Sequence, residues 1–147
     1  MNVAPPGLGR ILETVLYCRD HTRVEMIRFY DEVLGLRENR VSGGIYRLSN
    51  GMLLLFNADK SAVQSSPPPH GTTGRSHTCF VAPDGAYEDW KSWIREADIE
   101  IIEEVEWESP FSGRSFYFHD PAGNVLEIAD SDIWPKHGES GDMRQSR

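Results

Sequence analysis

Residues 11–17, Ile-Leu-Glu-Thr-Val-Leu-Tyr, alternate a mostly aliphatic face with one carrying Thr14, the period-two pattern of a strand. Thr22-Arg23-Val24-Glu25 then has the spacing of a capping box. Met26, Ile27, Tyr30, Val33 and Leu34 follow at helical spacing until Gly35, which suits a left-handed stop. Three short extended runs come next, 36–41, 45–48 and 52–56, divided by Ser42-Gly43-Gly44 and Asn50-Gly51, both good hairpin turns. The order is βαβββ. Residues 58–74 are rich in Ser, Pro and Gly without periodicity and read as a connection, not an element. The pattern then restarts. Residues 76–81 form a strand, Asp84 is an N-cap, and Ala86, Trp90, Trp93, Ile94 and Ala97 make a helical apolar stripe that puts both tryptophans in the core. Extended runs at 99–107, 114–118 and 125–129 complete a second βαβββ, and the acidic run Glu100 to Glu108 reads as a solvated strand face.

The two halves superpose along the chain. A constant offset brings His77 onto Glu13 and Trp93 onto Phe29, and a slightly longer one brings Asn124 onto Gly51 and Glu127 onto Leu54. The expected organisation is one domain over 10–134, with module one at 10–57, the connection at 58–74, module two at 75–134, and a flexible polar tail at 135–147.

Composition narrows the function. The chain has 147 residues with 15 Lys+Arg against 23 Asp+Glu, a net charge of −8 and a pI near 5.1. One domain of ordinary globular composition is expected, and the acidic balance without basic clusters argues against nucleic acid as a partner. No apolar run is long enough to span a bilayer, so no membrane partner is expected. Met1 to Pro6 lacks the basic and apolar regions of a signal peptide, from which a cytoplasmic location is expected. Cys18 and Cys79 fit no metal-binding spacing and fall in apolar runs, so both are expected as buried thiols.

The chemistry is sought at the equivalent strand positions of the repeat, because a duplicated unit has a natural cleft where its two sheets face each other. Glu13, His77 and Glu127 occupy three of the four, and Leu54 the fourth. A carboxylate within an apolar strand must be paired, protonated or coordinated, since an isolated buried charge is very costly. Two carboxylates and an imidazole suit a divalent metal ion, Mn, Fe, Co, Ni, Zn or Mg, and leave coordination positions open for water or a small-molecule substrate. Glu13 or Glu127 could also act as catalytic base by loosening from the metal. The competing reading is a metal-free cluster in which a protonated His77 bridges two carboxylates. Four residues are candidates for substrate binding. Arg114 is either an anion clamp or a partner of the acids at 103–106, and His70, after Pro67-Pro68-Pro69, is either a lid or proton shuttle or an exposed loop histidine. Tyr117 and His119 share a strand face with Ser115, although His119 could instead cap the turn at Asp120-Pro121. Ile133 and Trp134 could cover a module edge or a homodimer partner.

Three segments carry a family resemblance: Phe29-Tyr30-Asp31-Glu32-Val33-Leu34-Gly35-Leu36, Ser76-His77-Thr78-Cys79-Phe80-Val81 and Asp120-Pro121-Ala122-Gly123-Asn124-Val125-Leu126-Glu127. Over about residues 10–134 the chain resembles the vicinal oxygen chelate superfamily. That superfamily takes in glyoxalase I, extradiol dioxygenases, fosfomycin-resistance enzymes and bleomycin-resistance proteins. The resemblance implies an α+β fold of two paired βαβββ modules forming an eight-stranded cup, with a divalent metal at Glu13, His77 and Glu127. Glu13 stands where many relatives have His or Gln, and Leu54 where glyoxalase I enzymes have a fourth, carboxylate ligand. Two functions follow as expectations. One is a metal-dependent lyase, isomerase or dioxygenase acting on a small oxygenated substrate; the other is a bleomycin-resistance-like binding protein without catalysis. Both leave open whether the modules pair within one chain or across a homodimer.

Overall fold

In a computed structural model describing residues 4–136, the N-terminal period-two run forms β1 (Glu13–Cys18). A 3-10 turn (Asp20–Thr22) leads into α1 (Arg23–Arg28), which continues as a π-helical turn (Phe29–Val33) and stops at Gly35, whose φ of 69° needs a residue without Cβ. After a 3-10 turn (Leu36–Asn39) come β2 (Arg40–Ser42), β3 (Ile45–Leu48) and β4 (Gly51–Asn57), then a short α2 (Ala58–Ser61). The sheet order is β1-β4-β3-β2, with β1 parallel to β4 and the other pairs antiparallel. Leu16, Leu53, Leu55 and Tyr46 are buried on one sheet face, where Tyr30 stacks on Tyr46 at 6.3 Å. Inside this core the buried Asp31 accepts from Tyr46 (3.0 Å) and from Arg40 (2.7 Å), so its charge is paired and hydrogen-bonded.

The second half repeats the plan with β5 (His77–Val81), α3 (Tyr87–Glu96), β6 (Glu103–Glu106), β7 (Arg114–His119) and β8 (Val125–Ala129), in the sheet order β5-β8-β7-β6. Phe116, Phe118, Leu126, Ile128 and Ile94 are buried, and Tyr87 of α3 meets Phe116 edge-on at 5.5 Å. The chain divides into two compact units at Thr72/Thr73, one βαβββ in each, as the repeat implies.

Several local expectations are corrected. Thr22 lies in helical φ/ψ within the 3-10 turn and turns its hydroxyl back to the Arg19 carbonyl, so no capping box forms. Residues 36–39 are helical and not extended, held by the Arg37–Glu32 ion pair (2.8 Å). The connection contains α2, capped by Asn57, whose Oδ1 accepts from the Asp59 and Lys60 amides. Gly85 at φ 79° delays the second helix to Tyr87, leaving Asp84 in the preceding turn. The buried seam of α3 is Tyr87, Lys91 and Ile94; Trp93 is 48% exposed. Lys91 enters that seam because its stem is apolar and its Nζ reaches Glu104 on β6 at 2.8 Å. The acidic residues of β6 are nonetheless exposed, Glu104 included, as expected of a solvated strand face. Of the expected tail, positions 137–147 lie outside the described residues.

Candidate functional site

The second unit is held in register by the turn before β8. Asp120 Oδ1 accepts from the Ala122 and Asn124 amides and its Oδ2 from Asn124 Nδ2, while Asn124 Oδ1 accepts from the Ser76 amide. This ties the start of β5 to the start of β8 and sets His77 opposite Val125 and Cys79 opposite Glu127 in the parallel ladder. The Asp-Pro-Ala-Gly-Asn motif thereby positions Glu127, three residues downstream of it.

Glu127 is 2% exposed. Its Oε2 lies 3.2 Å from His77 Nε2, and its Oε1 is buried with no hydrogen-bond partner among the described residues. His77 Nδ1 is 2.9 Å from the Val125 carbonyl, which only accepts, so Nδ1 carries the proton and Nε2 is aimed at Glu127. In the neutral imidazole two lone pairs then face each other, an arrangement that needs a cation. A proton on Nε2 would satisfy Oε2 and leave Oε1 orphaned, at the cost of a buried unpaired oxygen. A divalent ion ligated by Nε2 and the carboxylate satisfies both oxygens, so the donor set fits a metal.

Around this pair, Tyr117 on β7 faces Glu127 across the antiparallel ladder and stacks on the His77 ring at 6.1 Å. Burial pushes its phenol up to about 12, and its hydrogen bond to the Glu127 carboxylate adds to the rise, so it is a proton donor near neutral pH. Cys79 shares the row with Glu127 and is exposed, which corrects the expectation of two buried thiols; only Cys18 is buried. His119 is partly exposed and pairs with Val125 in the register, on the Tyr117 side of the strand. Arg114 is not brought to this face. Strand alternation sends it toward α3, where it pairs with Glu88 (2.9 Å) and Asp130 (3.6 Å) and lies 4.6 Å above the Tyr87 ring. Neither acid belongs to the 103–106 run.

In the first unit, β1 and β4 repeat the same register: Glu13 lies opposite Met52 and Val15 opposite Leu54. Glu13 thus holds the strand position of His77, and the buried Leu54 that of Glu127. His70 is seated on the same sheet, its Nδ1 2.6 Å from the Tyr17 hydroxyl and its ring 5.7 Å from that of Phe56. Tyr17 escaped the sequence reading because its partner is 53 residues away. Among the described residues no group of three His, Cys, Asp or Glu side chains is assembled to hold an ion. The geometry on hand is the His77–Glu127 pair.

The Glyoxalase/Bleomycin resistance protein/Dioxygenase superfamily matches residues 10–128. The metallothiol transferase FosB of Staphylococcus haemolyticus is 30% identical over 105 residues, 69% of this chain and 70% of that protein. The crystal structure of a lactoylglutathione lyase from Agrobacterium tumefaciens is 31% identical, with a TM-score of 0.72 over 88% of this chain and 98% of the other. A virulence protein from Salmonella typhimurium is 28% identical, with a TM-score of 0.63 over 83% and 96%.

Proposed function

Because the chain belongs to the Glyoxalase/Bleomycin resistance protein/Dioxygenase superfamily, we propose that it is a divalent-metal-dependent enzyme acting on a small oxygenated substrate, with His77 and Glu127 as metal donors. The observation that carries the proposal is the buried, unpartnered Glu127 Oε1 beside a histidine whose other nitrogen is already committed to the Val125 carbonyl. A bound divalent ion supplies Lewis acidity toward substrate oxygens. The protein's own part is preorganisation. The Val125 carbonyl fixes the imidazole tautomer, the β5–β8 ladder fixes the donor spacing, and the Tyr117 phenol offers a hydrogen bond to a substrate oxygen lying against His77.

Glu13 is the third donor in this reading, on the strength of its equivalence to His77 in the repeat, and it comes either from the same chain or from a second copy. Similarity to a metallothiol transferase and a lactoylglutathione lyase, each at 30% identity or more, favours lyase or group-transfer chemistry over oxygen activation. The Tyr17–His70 pair can hold one proton between Oη and Nδ1 and present His70 Nε2 as donor or acceptor. His70 is therefore the proton-handling candidate of the first unit.

The test is elemental analysis of the purified protein, then titration of chelator-treated protein with Mn, Fe, Co, Ni, Zn and Mg, in the natural chain and in His77→Ala. One bound ion per chain, lost in the variant, is expected. A protein that binds small molecules equally well with chelator present, and takes up no ion, would replace this reading with the bleomycin-resistance type.

A further inference from the structure

At the β3–β4 turn of the first unit, Arg10 and Arg47 line a cavity of about 150 Å³ together with Leu12, Asn50, Gly51 and Met52. Backbone bonding holds its walls. The Met52 amide donates to the Leu12 carbonyl (2.9 Å), Arg10 Nη1 donates to the Asn50 carbonyl (3.3 Å), and a Cβ at Gly51 would come within 2.8 Å of the Leu12 oxygen. Glycine is what lets residues 10–12 close against the turn.

The chain carries a net charge of −8, and Arg19, Arg37, Arg40 and Arg114 each pair with an acid at 2.7–3.0 Å. Among the described residues Arg10 and Arg47 have no acid within 4.0 Å, as is also true of Arg23, Arg28, Arg75 and Arg95; what sets Arg10 and Arg47 apart is that both line one cavity. The planar forks of guanidinium groups match carboxylate and phosphate oxygens. The cavity has room for roughly five water volumes, enough for one such group. Its place on the sheet is also telling. Met52 has Glu13 as its neighbour on β1 and Arg47 on β3, so all three share one sheet face.

We infer that Arg10 and Arg47 form an oxyanion subsite that binds a carboxylate or phosphate-like group of the substrate, beside the strand position of Glu13. The step from anion to substrate rests on the metal-enzyme reading above; the anion site itself rests on the cavity and its two arginines.

Inorganic phosphate, acetate and methylphosphonate are the probes, titrated calorimetrically at low ionic strength into the full chain after chelator treatment. The natural chain, Arg10→Gln, Arg47→Gln, the double variant and Arg95→Gln, which removes one exposed charge on α3, are compared. At least one probe is expected to bind, each single site variant to weaken it by about tenfold, and Arg95→Gln to leave it unchanged. Arg10 and Arg47 are both exposed, so the variants should melt like the natural chain, which a thermal scan checks. Equal binding by the double variant and the natural chain, or no binding of any probe, overturns the subsite. Phosphate binding that appears only with added metal and vanishes in His77→Ala overturns it too, while leaving the metal-enzyme reading standing.

Discussion

Glu127 is a residue whose cost and use can be separated. Its carboxylate is almost fully buried with one oxygen unpartnered, while Leu54, at the equivalent position of the other unit, fills its place with hydrocarbon. Glu127→Leu should therefore raise the stability of the metal-free protein by about 1–3 kcal/mol in a urea titration while abolishing metal uptake in the same preparation. A variant less stable than the natural metal-free chain would mean that Oε1 has a partner after all. The equivalence of these positions was legible in the sequence because a strand's side-chain period is two and the repeat supplies an internal ruler. The exposure of Cys79 was not, because apolar neighbours along a strand do not say which face is covered. Nor was the helix-side placement of Arg114, whose partners come from α3 and from beyond β8.

Among elements, α3 and β6 are joined by Glu104, which accepts from Lys91 at 2.8 Å and from Tyr87 at 3.2 Å. The Lys91 hydrogen bond holds the Glu104 carboxyl below its ordinary value of 4.5, and burial of the Tyr87 phenol raises that group well above its usual range. A carboxylate with a depressed folded pKa contributes stability that is whole above its unfolded value and is lost as pH falls through the folded one. Glu104→Gln should accordingly flatten the loss of stability on acidification below pH 4.5 and leave the slope near neutrality unchanged, as read from denaturation midpoints across pH. The same helix shows where periodicity misleads. A stripe counted from Trp90 and Trp93 is as good a helical pattern as Tyr87, Lys91 and Ile94, and only the length of a lysine stem and the acid opposite it decide between them. Gly35 and both hairpin turns, by contrast, were readable because local backbone chemistry determines them.

At the scale of the molecule, two units of like topology carry different side chains at matched positions, with Glu13 in one where His77 stands in the other, and the proposed function makes Glu13 the third metal donor. Glu13→Gln should weaken metal affinity at least about tenfold, since even an outer partner of a ligand is worth that much. Coexpression of Glu13→Gln with His77→Ala decides where Glu13 acts: metal binding restored in the mixture assigns it to a second copy, and none to the same chain. The repeat and the βαβββ order along each half were recoverable from the sequence. The backbone ladder between β5 and β8 was not, because it pairs segments 48 residues apart, although the repeat had already put His77 and Glu127 at one site. That ladder has a kinetic consequence. His77 and Glu127 stand on neighbouring parallel strands, so an ion held by both also ties β5 to β8, and the amides bridging those strands exchange with solvent when the two strands part. Metal present at a hundred times its dissociation constant should slow deuterium uptake across His77–Val81 and Val125–Ala129 by about a hundredfold and spare β1–β4 amides that do not share the ion. The backbone itself would then record occupancy, with no substrate needed.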